Sequence, residues 1–153
     1  MLQLNEYYSK KWTITPIYDK ASLLFRKYAE KNNAIAQFCL GKCYNEGWDV
    51  SIDYEQAVYW YRRSAKQGNS YAQNNLGIMY KGGFGVKLNY KEAVYWYRRS
   101  AEQGNSYAQN NLGNMYYNGC GVTQDYKKAV YWYRKSAEQG NIDAKKNLSR
   151  LTS

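Results

Sequence analysis

Residues 69–104 read NSYAQNNLGIMYKGGFGVKLNYKEAVYWYRRSAEQG, and residues 105–140 read NSYAQNNLGNMYYNGCGVTQDYKKAVYWYRKSAEQG. The two stretches share 27 of 36 positions. Self-similarity at a fixed spacing of this length marks stacked helical units, each of which needs neighbours to cover its apolar side. An earlier copy begins at Asn33 and keeps Ala36, Leu40, Gly41 and Tyr44, followed by AVYWYRRSAKQGN from Ala57. A fainter unit precedes it, with Leu4, Tyr8, Trp12, Ile14, Tyr18, Ala21, Phe25 and Ala29 at the expected offsets. After Asn141 the pattern continues for one helix, with Ala144 and Leu148 in register. The organisation expected is one repeat domain over 1–153. It has a diverged unit at 1–32, repeats at 33–68, 69–104 and 105–140, and a capping helix at 141–153.

Each repeat predicts two helices. Over 70–81, Ala72, Leu76, Met79 and Tyr80 fall on one stripe at helical spacing. Asn33, Asn69, Asn105 and Asn141 stand where an N-cap oxygen is needed. Gly82-Gly83 ends the first helix, since a left-handed residue costs glycine little. The second helix starts near Tyr90, packs through Ala93, Tyr97 and Ser100, and ends at Gln103-Gly104. Gly77 and Gly113 interrupt good helices at a cost of about 1 kcal/mol each relative to Ala. A cost repeated in register predicts a paired helix so close that a Cβ would clash.

The chain carries 19 Tyr and 5 Trp, with a net charge of +10 from 22 Lys and Arg against 12 Asp and Glu. Aromatic rings must therefore supply much of the core. The charge favours anionic partners. No apolar run is long enough for a membrane span. The start lacks the basic-then-apolar pattern of a secretion signal, so a cytoplasmic protein is expected, or a periplasmic or secreted one if a signal was removed upstream of this numbering. Cys39, Cys43 and Cys120 form no repeated spacing, and with no histidine in the chain they cannot complete a tetrahedral zinc site. The lack of histidine also excludes His-dependent triads. Neither cofactor nor metal is expected, and no enzyme activity.

The spaced residues Ala108, Leu112, Gly113, Tyr116, Gly119, Gly121, Val122, Asp125, Lys128, Ala129, Trp132, Tyr133, Ala137, Glu138 and Gly140 resemble the Sel-1-like repeat family, related to tetratricopeptide repeats. The repeat around Ala72 matches nearly as well. The one around Ala36 departs at Asp49, where glycine is usual. The resemblance implies an all-α, right-handed solenoid of antiparallel helix pairs. It also implies an adaptor, scaffold or inhibitor that binds another protein. A small bacterial antagonist of a toxin or effector is one such form. The disulfide-rich subgroup of that family does not fit, because its cysteine pair in each repeat is missing.

In related superhelices the first helices line a concave groove. That register assigns Ile35, Phe38, Lys42 and Asn45 to the groove, then Tyr71, Asn74, Ile78 and Lys81, then Tyr107, Asn110, Asn114 and Tyr117. Asp143, Lys146 and Arg150 close the row. Rings and amides of this kind suit an acidic surface, an extended peptide or a partner helix. The blander expectation is that Tyr71 and Tyr107 only cover the neighbouring helix. A second feature is the ladder Arg62, Arg63, Arg98, Arg99, Arg134 and Lys135 on the second helices. Tyr59, Tyr95 and Tyr131 stand four residues before Arg63, Arg99 and Lys135, at ring–cation spacing. The ladder offers an alternative, docking of nucleic acid or another anionic surface, against a solvated face that keeps the array soluble. A monomer is expected.

Overall fold

The computed structural model describes residues 15–152, with side chains from 21 to 151. Leu4, Tyr8, Trp12 and Ile14 lie outside the described residues. The described chain is all-helical: α1 (Thr15–Glu30), α2 (Ala34–Glu46), α3 (Tyr54–Lys66), α4 (Ser70–Gly82), α5 (Tyr90–Glu102), α6 (Ser106–Asn118), α7 (Tyr126–Glu138) and α8 (Ile142–Thr152). Each helix packs on the next, which makes an α-solenoid with α2–α3, α4–α5 and α6–α7 as its pairs.

The boundaries follow from local chemistry. Asn33, Asn69 and Asn105 accept through their side chains from the amides of Ala36, Ala72 and Ala108. Asp53, Asn89 and Asp125 do the same for the second helices. Gly47, Gly83 and Gly119 close the first helices at φ of 74°, 70° and 67°. The left-handed position that follows falls to Gly85 and Gly121, and in the first repeat to Asp49 at φ 59°. The departure predicted at Asp49 thus keeps the backbone shape while changing the residue, and its carboxylate accepts from the Ser22 amide at 3.2 Å.

The core is aromatic, as composition demands. Tyr61, Tyr97 and Tyr133 are the largest fully buried side chains, and Leu40, Leu76, Leu112, Met79 and Met115 are buried as completely. A Cβ placed on Gly41, Gly77 or Gly113 would stand 2.6–2.7 Å from the ring of Tyr61, Tyr97 or Tyr133. The helical glycines are therefore seats for the tyrosines of the paired helices, which is the predicted close approach.

Buried polar groups lock one unit to the next. Gln73, wholly buried, donates from Nε2 to the Ala65 carbonyl at the end of α3 and accepts from Gln103 Nε2 at 2.7 Å. Gln37 and Gln109 repeat this clasp on Ala29 and Ala101, with Gln67 and Gln139 as their donors. Each clasp adds a side-chain donor to a helix-end carbonyl that already accepts a backbone amide, from Asn32, Gly68 or Gly104. Ser64, Ser100 and Ser136 tie the second helix to the first within a pair by donating to the carbonyls of Ala34, Ser70 and Ser106.

Candidate functional site

Side chains of successive first helices meet one another directly. Asn111 Nδ2 on α6 donates to Asn74 Oδ1 on α4 at 3.0 Å, and Asn147 Nδ2 on α8 donates to Asn110 Oδ1 on α6 at 3.1 Å. This ladder corrects two expected contact residues. Asn74 and Asn110 are only 7% and 8% exposed, and their oxygens hold the stack together rather than facing a partner. Spacing alone placed them outward, but the neighbouring helix lies close enough to cover that position. The first repeat has Phe38 at the corresponding place. It is half-buried, with its ring 6.1 Å from Tyr61 and 6.0 Å from Tyr71.

Beyond the ladder, the first-helix face is open. Ile35, Tyr71 and Tyr107 stand at matching positions of α2, α4 and α6 and are 68%, 58% and 63% exposed. Tyr71 touches Phe38 but is not covered by it. Tyr107 borders a shallow hollow of about 420 Å³ with Ile142 and Asp143. Ile78, Lys81 and Tyr117 are exposed in the following turns. Lys42 is half-buried, with its ammonium 4.7 Å from the ring centre of Trp48. Asp143, Lys146 and Arg150 are exposed on α8.

Asn114 is shared differently. Its Oδ1 accepts from Tyr133 OH at 2.7 Å and from Asn147 Nδ2 at 3.4 Å. It lines a hollow of about 210 Å³ between α6, α7 and α8, together with Tyr117, Asn118 and Arg150. Sequence reasoning missed Asn118 and Tyr133 here. The signal for Asn118 was available as a departure from Gly82 in an otherwise repeated helix. Tyr133 was named only among the residues of the repeat motif. Burial pushes the Tyr133 phenol up to about 12 and those of Tyr61 and Tyr97 higher still.

The basic ladder is partly structural. Arg62 and Arg98 each donate to a tyrosine hydroxyl of the next first helix, Tyr80 and Tyr116, at 2.8 Å. They are interhelix ties, not free docking cations. Arg63 and Arg99 lie 5.8 Å from the ring centres of Tyr59 and Tyr95, and Lys135 lies 4.9 Å from that of Tyr131, the contacts their spacing predicted. Arg134 is exposed, and the residue that would tie it in register is Thr152 rather than a tyrosine. The thiols are free. Cys43 is buried, and that burial raises it to about 11, which makes it a poor nucleophile.

A helical stack with interlocked units and one open row of large apolar and aromatic side chains defines a repeat-type binding module. The Sel1 repeat pattern matches residues 34–69, 70–105 and 106–141, and the chain belongs to the Sel1 repeat family. Such repeats are generally protein–protein interaction modules, and proteins built from them are typically non-catalytic scaffolds. Among solved structures, a Sel1 repeat protein from Oxalobacter formigenes is 38% identical with a TM-score of 0.81, over 88% of this chain and 54% of that one. A protective antigen of uropathogenic Escherichia coli strains, with an SLR fold, is 47% identical with a TM-score of 0.77, over 78% of this chain and 26% of that one. This chain thus spans about a quarter of one of these proteins and about half of the other. Cysteine rich protein B of Helicobacter pylori shares the fold at 22% identity and a TM-score of 0.67, over 87% of this chain and 96% of that one. No curated protein sequence matches the chain. Among the described residues, no helix is long and apolar enough to cross a membrane.

Proposed function

We propose that this protein binds one protein partner along the face built by its first helices, as an adaptor or inhibitor without catalysis of its own. The observation that carries the reading is the row Ile35, Tyr71 and Tyr107. Nearly every other apolar position repeated on these helices is buried, yet this one leaves large side chains more than half in solvent in three successive repeats. Exposed rings of this kind supply contact area at low entropic cost. Lys42, Ile78, Lys81 and Tyr117 extend the face. Its cations favour an acidic peptide, helix or surface, helped by a net charge of +10. Covering a partner's own active surface in this way is how an antagonist of a toxin or effector would work.

The alternative, nucleic acid on the second-helix ladder, gains no specific support. Two of its six cations are tied to tyrosines, and three others rest on rings of their own helices. The deciding experiment is affinity capture from native lysate at low and moderate salt, with protein and nucleic acid both identified, using the parent and a Tyr71→Ala, Tyr107→Ala variant. A stoichiometric protein that survives moderate salt and is lost in the variant is expected. Nucleic acid alone, leaving with salt and indifferent to the variant, would overturn the reading, because phosphate contacts weaken steeply with ionic strength.

A further inference from the structure

The helices α4 and α6, SYAQNNLGIMYKG and SYAQNNLGNMYYN, differ at three positions only: Ile78 against Asn114, Lys81 against Tyr117, and Gly82 against Asn118. All three of the α6 residues line the same hollow beneath α8. A repeat array keeps what its stacking needs and varies what it does not. Here the variation within the first helix is gathered at one place, and it replaces an apolar side chain, an ammonium and a bare glycine with two amides and a phenol. We propose that this hollow is a binding site for a carboxylate carried by the partner, either an acidic side chain or a chain end.

The hydrogen bonds decide the sign of the ligand. The oxygen of Asn114 is turned inward, taken by Tyr133 OH and Asn147 Nδ2. The network therefore assigns its NH2 as the group left over. Asn118 uses Nδ2 on the Asn114 carbonyl at 2.9 Å, which engages one of that group's two hydrogens. Arg150, the one charged residue on the wall, brings five donors and no acceptor. Among the described residues the only ion pair is Asp125–Lys128, so none of their carboxylates is paired with Arg150. The site has an excess of donors and a single positive charge. A carboxylate, with one negative charge and two acceptor oxygens, matches that set. A dianionic phosphate would leave charge uncompensated.

The assignment rests on the groove reading, because Tyr117 belongs both to the first-helix face and to the hollow. The two fit one ligand: an apolar or aromatic stretch crossing Ile35, Phe38, Tyr71 and Tyr107, with an acidic group reaching Arg150. The hollow also lies at the α8 end of that row, which gives the bound segment a direction.

The test is nuclear magnetic resonance on isotope-labelled protein, following the side-chain amides of Asn114 and Asn118. The probes are acetyl-Ala-Leu-Glu-Glu with a free C-terminus, its amidated Gln-Gln counterpart, sodium succinate and inorganic phosphate. The acidic peptide should shift both amides and the neutral one should not. Arg150→Gln, an exposed change, should weaken the peptide by about tenfold or more through loss of a charge-assisted contact. Asn114→Ile with Asn118→Gly should also weaken it, and this variant should fold because it brings α6 closer to the sequence α4 already uses. Silence at both amides up to roughly 1 mM peptide overturns the proposal, since a specific contact should register by then. Equal shifts from the neutral peptide, or full binding by Arg150→Gln, overturn it as well. Succinate or phosphate binding as tightly as the peptide would make this a small-anion site and not a partner contact. The two readings fail separately. A partner captured in the tyrosine experiment with silent amides sinks the hollow alone, whereas responsive amides with no captured partner sink the groove reading.

Discussion

The ring of Tyr97 occupies the space that a Cβ on Gly77 would fill, its nearest atoms 2.7 Å from that point. Gly77 lies mid-helix, where alanine would be better by about 1 kcal/mol from propensity alone. The ring is buried and stiff, so an added methyl forces it or the helix to move, at about 1–3 kcal/mol. Overpacking wins. Gly77→Ala should lower the urea midpoint, and in a Tyr97→Ala background the same change should raise it. A reversal of sign in the double-mutant cycle identifies the ring as the cause; a loss in both backgrounds would refute that account.

Gln73 offers a second test of how the units are joined. Its two ends satisfy the Ala65 carbonyl and Gln103. Gln73→Leu keeps most of the volume but removes the bonds at both ends of a buried amide, leaving the Ala65 carbonyl its backbone donor Gly68, and should cost about 1–3 kcal/mol for the two bonds. Gln103→Ala removes an exposed partner whose loss water can repair, and should cost less. Equilibrium unfolding of the two variants gives the comparison. A Gln103→Ala variant as damaging as Gln73→Leu would mean that the bond between the two glutamines, and not the one to the Ala65 carbonyl, is what the clasp contributes.

These buried partners mark the division between what sequence reading reaches and what it does not. The period, the paired helices, the Asn caps and the close helix approach at Gly77 and Gly113 were all legible, because each follows from local backbone chemistry or from repetition. The row containing Tyr71 and Tyr107 came instead from the register of related superhelices, and both rings are exposed. Asn74 was misread because its fate depends on Asn111, 37 residues away on the next first helix, and no pattern within one helix shows how closely two such helices lie. Arg62 and Arg98 looked like free cations for a similar reason. Their tyrosine partners, Tyr80 and Tyr116, are 18 residues on and were assigned to the core.

The arginine ties make a prediction about the ladder itself. Arg98→Gln should reduce stability by about 0.5–1.5 kcal/mol, the scale of one part-buried hydrogen bond. Arg134→Gln, with Thr152 where the tyrosine would stand, should change stability by less than about 0.5 kcal/mol, as exposed substitutions usually do. Thermal or urea unfolding of the two variants side by side measures this. Equal losses would show that general positive charge, and not the tie to Tyr116, is what the ladder contributes.

Alkaline unfolding should report the tyrosine core. Tyr61, Tyr97 and Tyr133 all have phenols raised by burial, Tyr133 to about 12 and the other two further. In the unfolded chain a tyrosine titrates near pH 10. Above that pH the unfolded state has released protons that the folded state still holds, so stability is complete below about pH 10 and falls as pH rises toward the folded values. Each such tyrosine steepens the fall. The measurement is urea unfolding at a series of pH values from neutral upward, with tyrosinate absorbance followed in parallel. A final group of tyrosines should ionise only as the helices melt. Tyr133→Phe should flatten the slope while giving up the bond to Asn114. A slope unchanged in Tyr133→Phe would mean that this phenol ionises freely in the folded state, through the hollow it borders.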